Sequence, residues 1–441
     1  MKNLFTIVTN AVKIPELRKK IFMTLMLVII FRIGCFIAIP GLEADALTSL
    51  AGNGLFKFMD LLTGSAFQQV SLFAMGISPY INASIIMQLL TVAIPALEKL
   101  QKEGQEGRKK ITQITRYLAL GLGFFQAIML FIQVEDFTIN LGSGFISSAF
   151  TFLLIVASFT TGTAILVWLG EKITEVGIGN GISMIIFAGI VSNAPRAARM
   201  LYGLLADNEI LGGIHLSLRI VVVLAILLVF LVVIMAVVWM EGGERRIPVQ
   251  YAKRVVGRKI YGGQNTHIPL KVNSSGVLPI IFAMSMLQFP ATIVAFTARG
   301  SAFDKWLTKF NNSWGYLIFY AVLIVAFTFF YNMVYFDPVD IANNLKKNGG
   351  FIPGLRPGRP TAEFIKNSSR KITWFGAFFL AVLAILPSFL QKISALFYSG
   401  LGNLNLWFGG TTVLILVGVA LESVRQLESQ MLMRHYKGFL E

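Results

Sequence analysis

The segment 216–240 is the sequence feature that most limits how this chain can fold. It contains one charged residue, Arg219, in a run made mostly of leucine, valine and isoleucine. An α-helix of about 20 apolar residues crosses the roughly 30 Å hydrocarbon core of a bilayer. The run is not an isolated case, because hydrophobic residues make up 55% of the chain and charged residues only 14%. The sequence therefore predicts an all-α polytopic membrane protein.

Ten segments have the length and apolar character of a spanning helix. The predicted spans are residues 21–39, 76–94, 117–134, 149–169, 182–191 with its flanks, 216–240, 277–296, 316–335, 372–390 and 409–421. Most of the 38 lysines and arginines fall between these spans on the side of the amino terminus. Because positive charge accumulates in cytoplasmic loops, both termini are predicted to face the cytoplasm. Arg32, inside the first span, is expected to face protein or to reach the outer interface.

The second span begins with an unusual sequence, GISPYINASIIMQLLT at 76–91. Polar residues such as Asn82 and Gln88 are scattered among its isoleucines, and Ile77 and Ile81 lie four positions apart on one helical face. A helix of this kind inside a bilayer usually faces protein or water. Taken alone, the stretch predicts either a packing helix with some polar positions or the wall of a pore.

The segment 40–74, which precedes this span, is not a clean membrane helix. Apolar residues recur at helical spacing near its middle, but Lys57, Asp60 and several uncharged polar residues interrupt them. The pattern favours a short half-helix that dips into protein over a helix exposed to lipid.

Two long segments on the cytoplasmic side are built differently from simple connections. In 241–275, the part 248–270 alternates Val, Tyr and Ile with basic residues around a Gly-Gly turn, which predicts a basic β-hairpin. In 336–371, Gly and Pro residues predict a stiff tip that displays Arg356 and Arg359. With a formal net charge of +16, such loops suit anionic lipid or an anionic partner such as RNA. A solvated loop that only sets membrane orientation is the simpler alternative for each.

The sequence offers no catalytic or metal-binding pattern. The glycine run Gly177–Gly181 has no preceding strand and no following Lys-Ser/Thr pair, so a turn before a helix is expected. Cys35 is the one cysteine, which excludes an intramolecular disulfide. The three histidines, His215, His267 and His435, are far apart and lack metal-ligand spacing. We therefore expect no metal, no cofactor and no enzyme activity.

Eight motifs follow one another along the chain: FRIG at 31–34, GISPYINASIIMQLLT at 76–91, EGQEGRKKITQITRY at 103–117, WLGEKITEVGIGNGIS at 168–183, ERRIPVQYAKR at 244–254, THIPLKVNSSGVLPIIFA at 266–283, NNLKK at 343–347 and FIPGLRPG at 351–358. Together they closely resemble the bacterial SecY family of protein-conducting channels. The resemblance implies two pseudo-symmetric five-helix halves, 1–200 and 201–441, around a central pore. It also implies a plug half-helix near 55–69 and the cytoplasmic loops 241–275 and 336–371.

The resemblance also assigns site residues, position by position. A ring of aliphatic side chains would close the pore at Ile77, Ile81, Ile182, Ile186, Ile281 and Ile415. The plug would include Leu55, Phe56, Met59, Leu62 and Gly64. Docking of the SecA motor and the ribosome would use Arg246, Arg254, Arg258 and Arg356. A lateral gate towards lipid would include Gln88 and Asn273.

The resemblance implies a location and a set of partners as well. The location would be the bacterial cytoplasmic membrane, and the function would be passage of unfolded secretory proteins with lateral release of hydrophobic segments. The partners would be SecE, SecG, SecA, the ribosome, signal peptides and nascent chains, anionic lipids, SecDF and a YidC-type insertase. A small-solute secondary transporter is the alternative. Such a transporter needs a specific polar pocket at the membrane midplane, where this sequence offers an apolar ring.

Overall fold

The fold consists mainly of α-helices, as the sequence predicts. The computed structural model describes residues 4–43, 47, 60, 63–139, 145–206, 216–251, 254–256, 259–261, 265–274, 276–297, 301–311, 313–397 and 410–437. Within these ranges the α-helices are α1 (Leu4–Lys13), α2 (Pro15–Gly34), α3 (Ser78–Ala93), α4 (Pro95–Lys102), α5 (Gln105–Val134), α6 (Phe145–Val176), α7 (Gly181–Ser192), α8 (Ala194–Ala206), α9 (Leu216–Gly242), α10 (Leu278–Thr297), α11 (Ala302–Asn311), α12 (Trp314–Tyr335), α13 (Pro338–Lys347), α14 (Arg359–Phe397) and α15 (Gly410–Lys437). The strands are β1 (Glu244–Tyr251), β2 (Arg254–Val256), β3 (Lys259–Tyr261), β4 (Asn265–Lys271) and β5 (Gly350–Phe351).

Each of the ten predicted spans coincides at least in large part with one of these helices. In the described ranges, 6 helical stretches are long and apolar enough to cross a membrane by themselves. They are Gln105–Val134, Ser147–Val176, Gly181–Ala206, Arg219–Gly242, Trp314–Lys347 and Arg359–Lys392. These lengths and hydropathies make the chain a multi-pass helical membrane protein.

A further candidate span is broken. Helices α3 and α4 meet the criterion together but are bent by 100° at their junction. Ile94, between them, is extended (φ −106°, ψ 112°), and Pro95 begins α4. A residue before proline is disfavoured in the helical region because the proline ring clashes with it, so the chain turns there. The bend therefore lies at residue 94, where the sequence predicts the end of the second span.

The described residues form two compact units, one built mainly on Met1–Gly203 and the other mainly on Leu204–Gly418, with α10 and α15 divided between them. The first unit has a large apolar core in which Phe67, Val70 and Met75 pack with residues of α5 and α6. The chain before α3 is held there by backbone bonds: Ile39 N donates to Val70 O (3.0 Å) and Leu72 N to Ile37 O (2.8 Å).

The described end of the predicted plug half-helix is not helical. Residues 64–77 form turns and an isolated bridge between Ala38 and Ser71. Gly64, Ser65 and Val70 have φ values of 69°, 70° and 49°, which a right-handed helix cannot contain. Thr63 and Ser65 are also buried, at 2% and 4% exposure.

The second unit contains the predicted basic hairpin, and this prediction is confirmed. β1 pairs antiparallel with β4 from Glu244 opposite Lys271 to Gln250 opposite Asn265. Along β1, Ile247 and Val249 are buried while their neighbours are exposed, the alternation expected of a strand with one covered face. The hairpin is longer than predicted, because it begins almost directly after α9.

The two long segments 241–275 and 336–371 share one sheet in their described parts, which the sequence did not reveal. β5, from the second segment, pairs with β1 and completes a three-stranded sheet in the order β4-β1-β5. The covered face of the sheet packs against α13 and α14 in an apolar cluster. That cluster contains Ile247, Val249, Leu270, Leu345, Ile352 and Ile365. The turn that contains Arg356 is therefore carried on a folded platform.

Candidate functional site

The first pair of predicted ring residues is placed by the start of α3. Ile77 is the residue before the helix, and the amide of Ile81 donates to its carbonyl oxygen at 3.0 Å. Gly76 turns the chain into the helix with φ +60°, and Pro79 occupies the first turn, where its missing N–H costs no hydrogen bond. Ile77 is 6% exposed and Ile81 is half-buried on the same helical face.

The second pair is placed by the glycine turn before α7, which confirms the predicted turn. The side-chain oxygen of Asn180 accepts hydrogen bonds from the amides of Ile182 (3.0 Å) and Ser183 (3.2 Å). This cap satisfies amides that have no partner inside the helix. A side chain on Gly181 would collide with the carbonyl of Gly170, so glycine is required there. Ile182 is half-buried and Ile186 is 6% exposed.

The last two predicted ring residues lie in the second unit. Ile281 is in the first turns of α10, with 6% of its surface exposed, and Ile415 is in α15, with 4% exposed. All six isoleucines are thus on helices or at a helix start, and all are at least half-buried. Because the six positions are divided between two units, the closed ring stays a prediction.

Of the predicted plug residues, Gly64 lies within the described chain, whereas Leu55, Phe56, Met59 and Leu62 lie outside the described residues. Gly64 has φ +69° and is tightly enclosed. A Cβ there would collide with Ser192 Oγ and would lie 2.6 Å from Arg32 Nη1 and 2.7 Å from Gly189 O. Arg32 Nη1 donates to Gly64 O at 3.4 Å, so Arg32 faces protein, one of the two predicted arrangements.

A polar network fixes the chain on either side of Gly64 to the junction of α7 and α8. Ser65 Oγ donates to Asn193 Oδ1 at 2.8 Å. Asp60 accepts from the amide of Gln68 (3.1 Å), whose side chain in turn accepts from Arg196 Nη1 (3.1 Å). Burial raises the pKa of the Asp60 carboxyl above 3.8, although the Gln68 hydrogen bond and the charge of Arg196 oppose this shift. Neither Asn193 nor Arg196 was singled out from the sequence.

The predicted docking arginines differ in their surroundings. Arg246 points away from the apolar face of β1 and forms an ion pair with Glu244 Oε1 at 2.7 Å. Arg356 is exposed in the turn between β5 and α14, where Gly354 and Gly358 have φ values of 83° and 108°. The backbone of Arg254 is in β2, opposite Tyr261, whereas Arg258 lies outside the described residues. The sheet thus presents Arg246 and the Arg356 turn from one platform.

The two predicted gate residues occupy different kinds of position. Gln88 is half-buried in α3, where its carbonyl accepts from Thr91 Oγ1 at 2.8 Å. Asn273 is 7% exposed, and its amide nitrogen donates to Glu241 Oε1 at 2.7 Å. This bond ties the chain after β4 to the end of α9. A role of Asn273 at a lateral gate stays a prediction.

No cluster of three or more metal-ligating side chains occurs in the described part of the chain. Among the residues that the sequence reading missed, Asn180 carried a recognisable signal, since an asparagine directly before an apolar helix is a common cap. Asn193, Arg196 and Glu241 carried none, because their partners are distant in sequence or lie in a different element.

The comparisons with known proteins agree with this fold. The SecY family model matches residues 71–424. Protein translocase subunits SecY from Streptomyces coelicolor and Bacillus subtilis are 44% and 42% identical to this chain, covering 99% of it and 100% of each relative. Among solved structures, one described as a protein-conducting channel has a TM-score of 0.58 at 20% identity, covering 94% of this chain and 92% of that chain. A SecY structure described by its plug domain has a TM-score of 0.62 at 19% identity, with the same coverage.

Fold and sequence place the chain among polytopic helical membrane proteins that share the architecture of these channels. The chain belongs to the SecY family. This is a family of channel subunits and not of enzymes, which confirms that part of the sequence interpretation.

Proposed function

We propose that this chain is the channel subunit of a protein translocase. It would pass unfolded secretory proteins across the bacterial cytoplasmic membrane and release hydrophobic segments laterally into the lipid. The observation that carries the proposal is the match over nearly the whole chain to proteins named protein translocase subunit SecY. Ten spanning helices in two halves, with both termini in the cytoplasm, belong to the same proposal. No described feature favours a small-solute transporter.

In this proposal the six isoleucines close the resting pore. A narrow apolar constriction loses its water and so blocks ions, while it offers a passing peptide no strong binding site. Branched side chains suit this role because few rotamers are open to them, which keeps the closed lining uniform. The half-buried state of Ile81 and Ile182 and the burial of the other four support an apolar lining, since none is fully exposed. The plug near 55–69 would add a second closure.

The basic platform would bind the cytoplasmic partners, SecA and the ribosome. Arginine forks suit the phosphates of ribosomal RNA, and an exposed arginine on a stiff turn suits an acidic protein surface. A channel from canine endoplasmic reticulum in complex with the ribosome shares the fold, with a TM-score of 0.55. SecE, SecG, signal peptides, nascent chains, anionic lipids, SecDF and a YidC-type insertase complete the proposed partners.

The ring is tested by changing its polarity without deleting it. In the double variant Ile81→Asn and Ile186→Asn, two polar amides replace apolar side chains at positions assigned to opposite walls of the pore. We expect a small-ion leak in planar bilayers and export of proteins with defective signal sequences, because the constriction would hold water. The control is Leu at both positions, which preserves volume and polarity and should leave the conductance close to wild type.

Two results would count against the ring. One is an Asn pair as tight as wild type, and the other is a Leu pair that leaks as much as the Asn pair. Either would make these isoleucines packing residues.

A further inference from the structure

Helix α11 carries a continuous stack of aromatic rings on one face. Phe303 and Trp306 have ring centroids 5.8 Å apart at 15°, and Trp306 and Phe310 are 5.6 Å apart at 8°. The spacing of three and four residues places these rings side by side along the helix. Phe303 and Trp306 are 51% and 56% exposed, although aromatic rings of this size are normally buried. The stack is thus an apolar surface without a cover in the described chain.

The opposite face of α11 is polar. Lys305 and Thr308 are exposed on that face and Lys309 is exposed at its edge, whereas Leu307 is 7% exposed. A short helix with an aromatic face and a lysine face has the pattern of helices that lie in the plane of a membrane interface.

The stack continues into the exposed surface of α12, which is one of the helices long and apolar enough to cross a membrane. Phe310 contacts Phe319 of α12 with ring centroids 6.4 Å apart. On α12, Ile318, Phe319 and Val322 are 67%, 48% and 57% exposed. Exposed apolar residues on a spanning helix face lipid, so the aromatic face of α11 borders directly on a lipid-facing surface.

Residues typical of the membrane interface surround the junction of α11 and α12. Lys392 Nζ donates to Ser313 O at 2.6 Å and lies 5.1 Å from the ring of Trp314, which is 50% exposed. Trp314 also contacts Phe389 edge to face at 6.0 Å. Tryptophan and lysine concentrate where hydrocarbon meets the headgroups, because each has an apolar body and a polar end.

We propose that α11 is an interfacial anchor that lies on the membrane surface at the end of α12. This helix binds phospholipid. The stacked rings enter the boundary of the acyl chains, and Lys305 and Lys309 contact the headgroup phosphates. The anchor fixes the depth of α12 and the position of the α11–α12 junction. It rests on the membrane placement of α12 and not on protein translocation.

The test places one fluorescent probe on either face of the same helix. Cys35, which is 1% exposed, is first replaced by alanine. Phe303→Cys and Lys305→Cys are then labelled separately with an environment-sensitive dye in the full chain, reconstituted into phosphatidylcholine–phosphatidylglycerol vesicles. Brominated acyl chains report contact with lipid, and aqueous iodide reports contact with water. Thermal unfolding and helix content of both variants verify the fold.

We expect the probe at 303 to be quenched by brominated lipid at least about twofold more than the probe at 305, and iodide to show the reverse order. Equal quenching of both probes by iodide would show that α11 stands in water and would overturn the proposal. Protection of the probe at 303 from both quenchers would assign the stack to a protein partner and would overturn it as well.

Discussion

At the scale of single residues, the glycines with positive φ are not equivalent. Gly64 and Gly104 have φ values of 69° and 82°, a region that other residues enter only under strain. Around Gly104 no atom lies within 4 Å of the position of an added Cβ, whereas Gly64 is enclosed by Arg32, Gly189 and Ser192. Gly64 therefore has a steric role in addition to a conformational one.

This difference predicts the effect of two matched substitutions. Gly104→Ala should lower the free energy of unfolding by roughly 1–2 kcal/mol, from backbone strain alone. Gly64→Ala should cost roughly 3 kcal/mol or more, because the methyl group must also displace neighbouring atoms. Thermal unfolding of the detergent-solubilised proteins measures both. Equal losses would show that the contacts around Gly64 are easily displaced.

Asp60 predicts a dependence of stability on pH. Its folded-state pKa lies above 3.8 because burial disfavours the charged form. A raised acid pKa means that folding binds a proton more tightly, so this group destabilises the protein at neutral pH and the penalty disappears as pH falls towards 3.8. Asp60→Asn should therefore raise Tm at pH 7, and the difference should shrink on acidification.

Repeating the comparison with wild type at several pH values separates the pH-dependent effect of the charge from any constant effect of the substitution. If Asp60→Asn lowers Tm at pH 7, the charge pairing with Arg196 outweighs burial and the assigned cause of the pKa shift is wrong.

At the scale of elements, the three-stranded sheet depends on α14 for its core. Ile365 of α14 is 0% exposed. It packs with Ile247 and Val249 of β1 and with Ile352, which directly follows β5. The turn at Arg356 adjoins this cluster, because Leu355 packs against it and Thr361 Oγ1 of α14 donates to Arg356 O at 2.8 Å. Its position is therefore set by how well the sheet packs on the helix.

Ile365→Ala should loosen this packing and cost roughly 2–4 kcal/mol of local stability, because it leaves a cavity at a fully buried site. Hydrogen exchange of the β1 and β4 amides should become faster, while α12 and the membrane part of α14 keep their protection. The matched control is Glu363→Ala, which removes an exposed ion pair with Arg359 at 3.6 Å and should cost less than about 0.5 kcal/mol. Unchanged exchange in Ile365→Ala would mean that the hairpin is stable by itself.

At the scale of the whole molecule, the charge distribution predicts the orientation in the membrane. Lys109 lies in α5 before the apolar part of that helix, and Lys305 lies in α11 between two predicted spans. Both are exposed. With both termini in the cytoplasm, a cysteine at 109 should react with a membrane-impermeant maleimide only from the cytoplasmic side, and one at 305 only from outside. Labelling of both from the same side would refute the ten-span topology.

The sequence was sufficient where a pattern is local. Apolar runs located the helices, strand alternation located the hairpin, and the glycine run at 177–181 located a turn. It failed where long-range contacts decide the structure. β5 has only Gly350 and Phe351, too short to have a period, and its pairing with β1 depends on packing against α13 and α14. Likewise, helical spacing around 56–62 gave no sign of the positive φ values that begin at Gly64.

The three-stranded sheet determines how mechanical load would enter the molecule. β1 begins almost directly after α9, and β5 lies in the chain between α13 and α14. The sheet is therefore connected to α9 through β1 and to α14 through β5. A force on the turn at Arg356 would be shared between α9 and α14, because β1 and β5 are paired at Gln250–Phe351 and Tyr251–Gly350. A partner that pushes there would therefore displace α9 and α14 together.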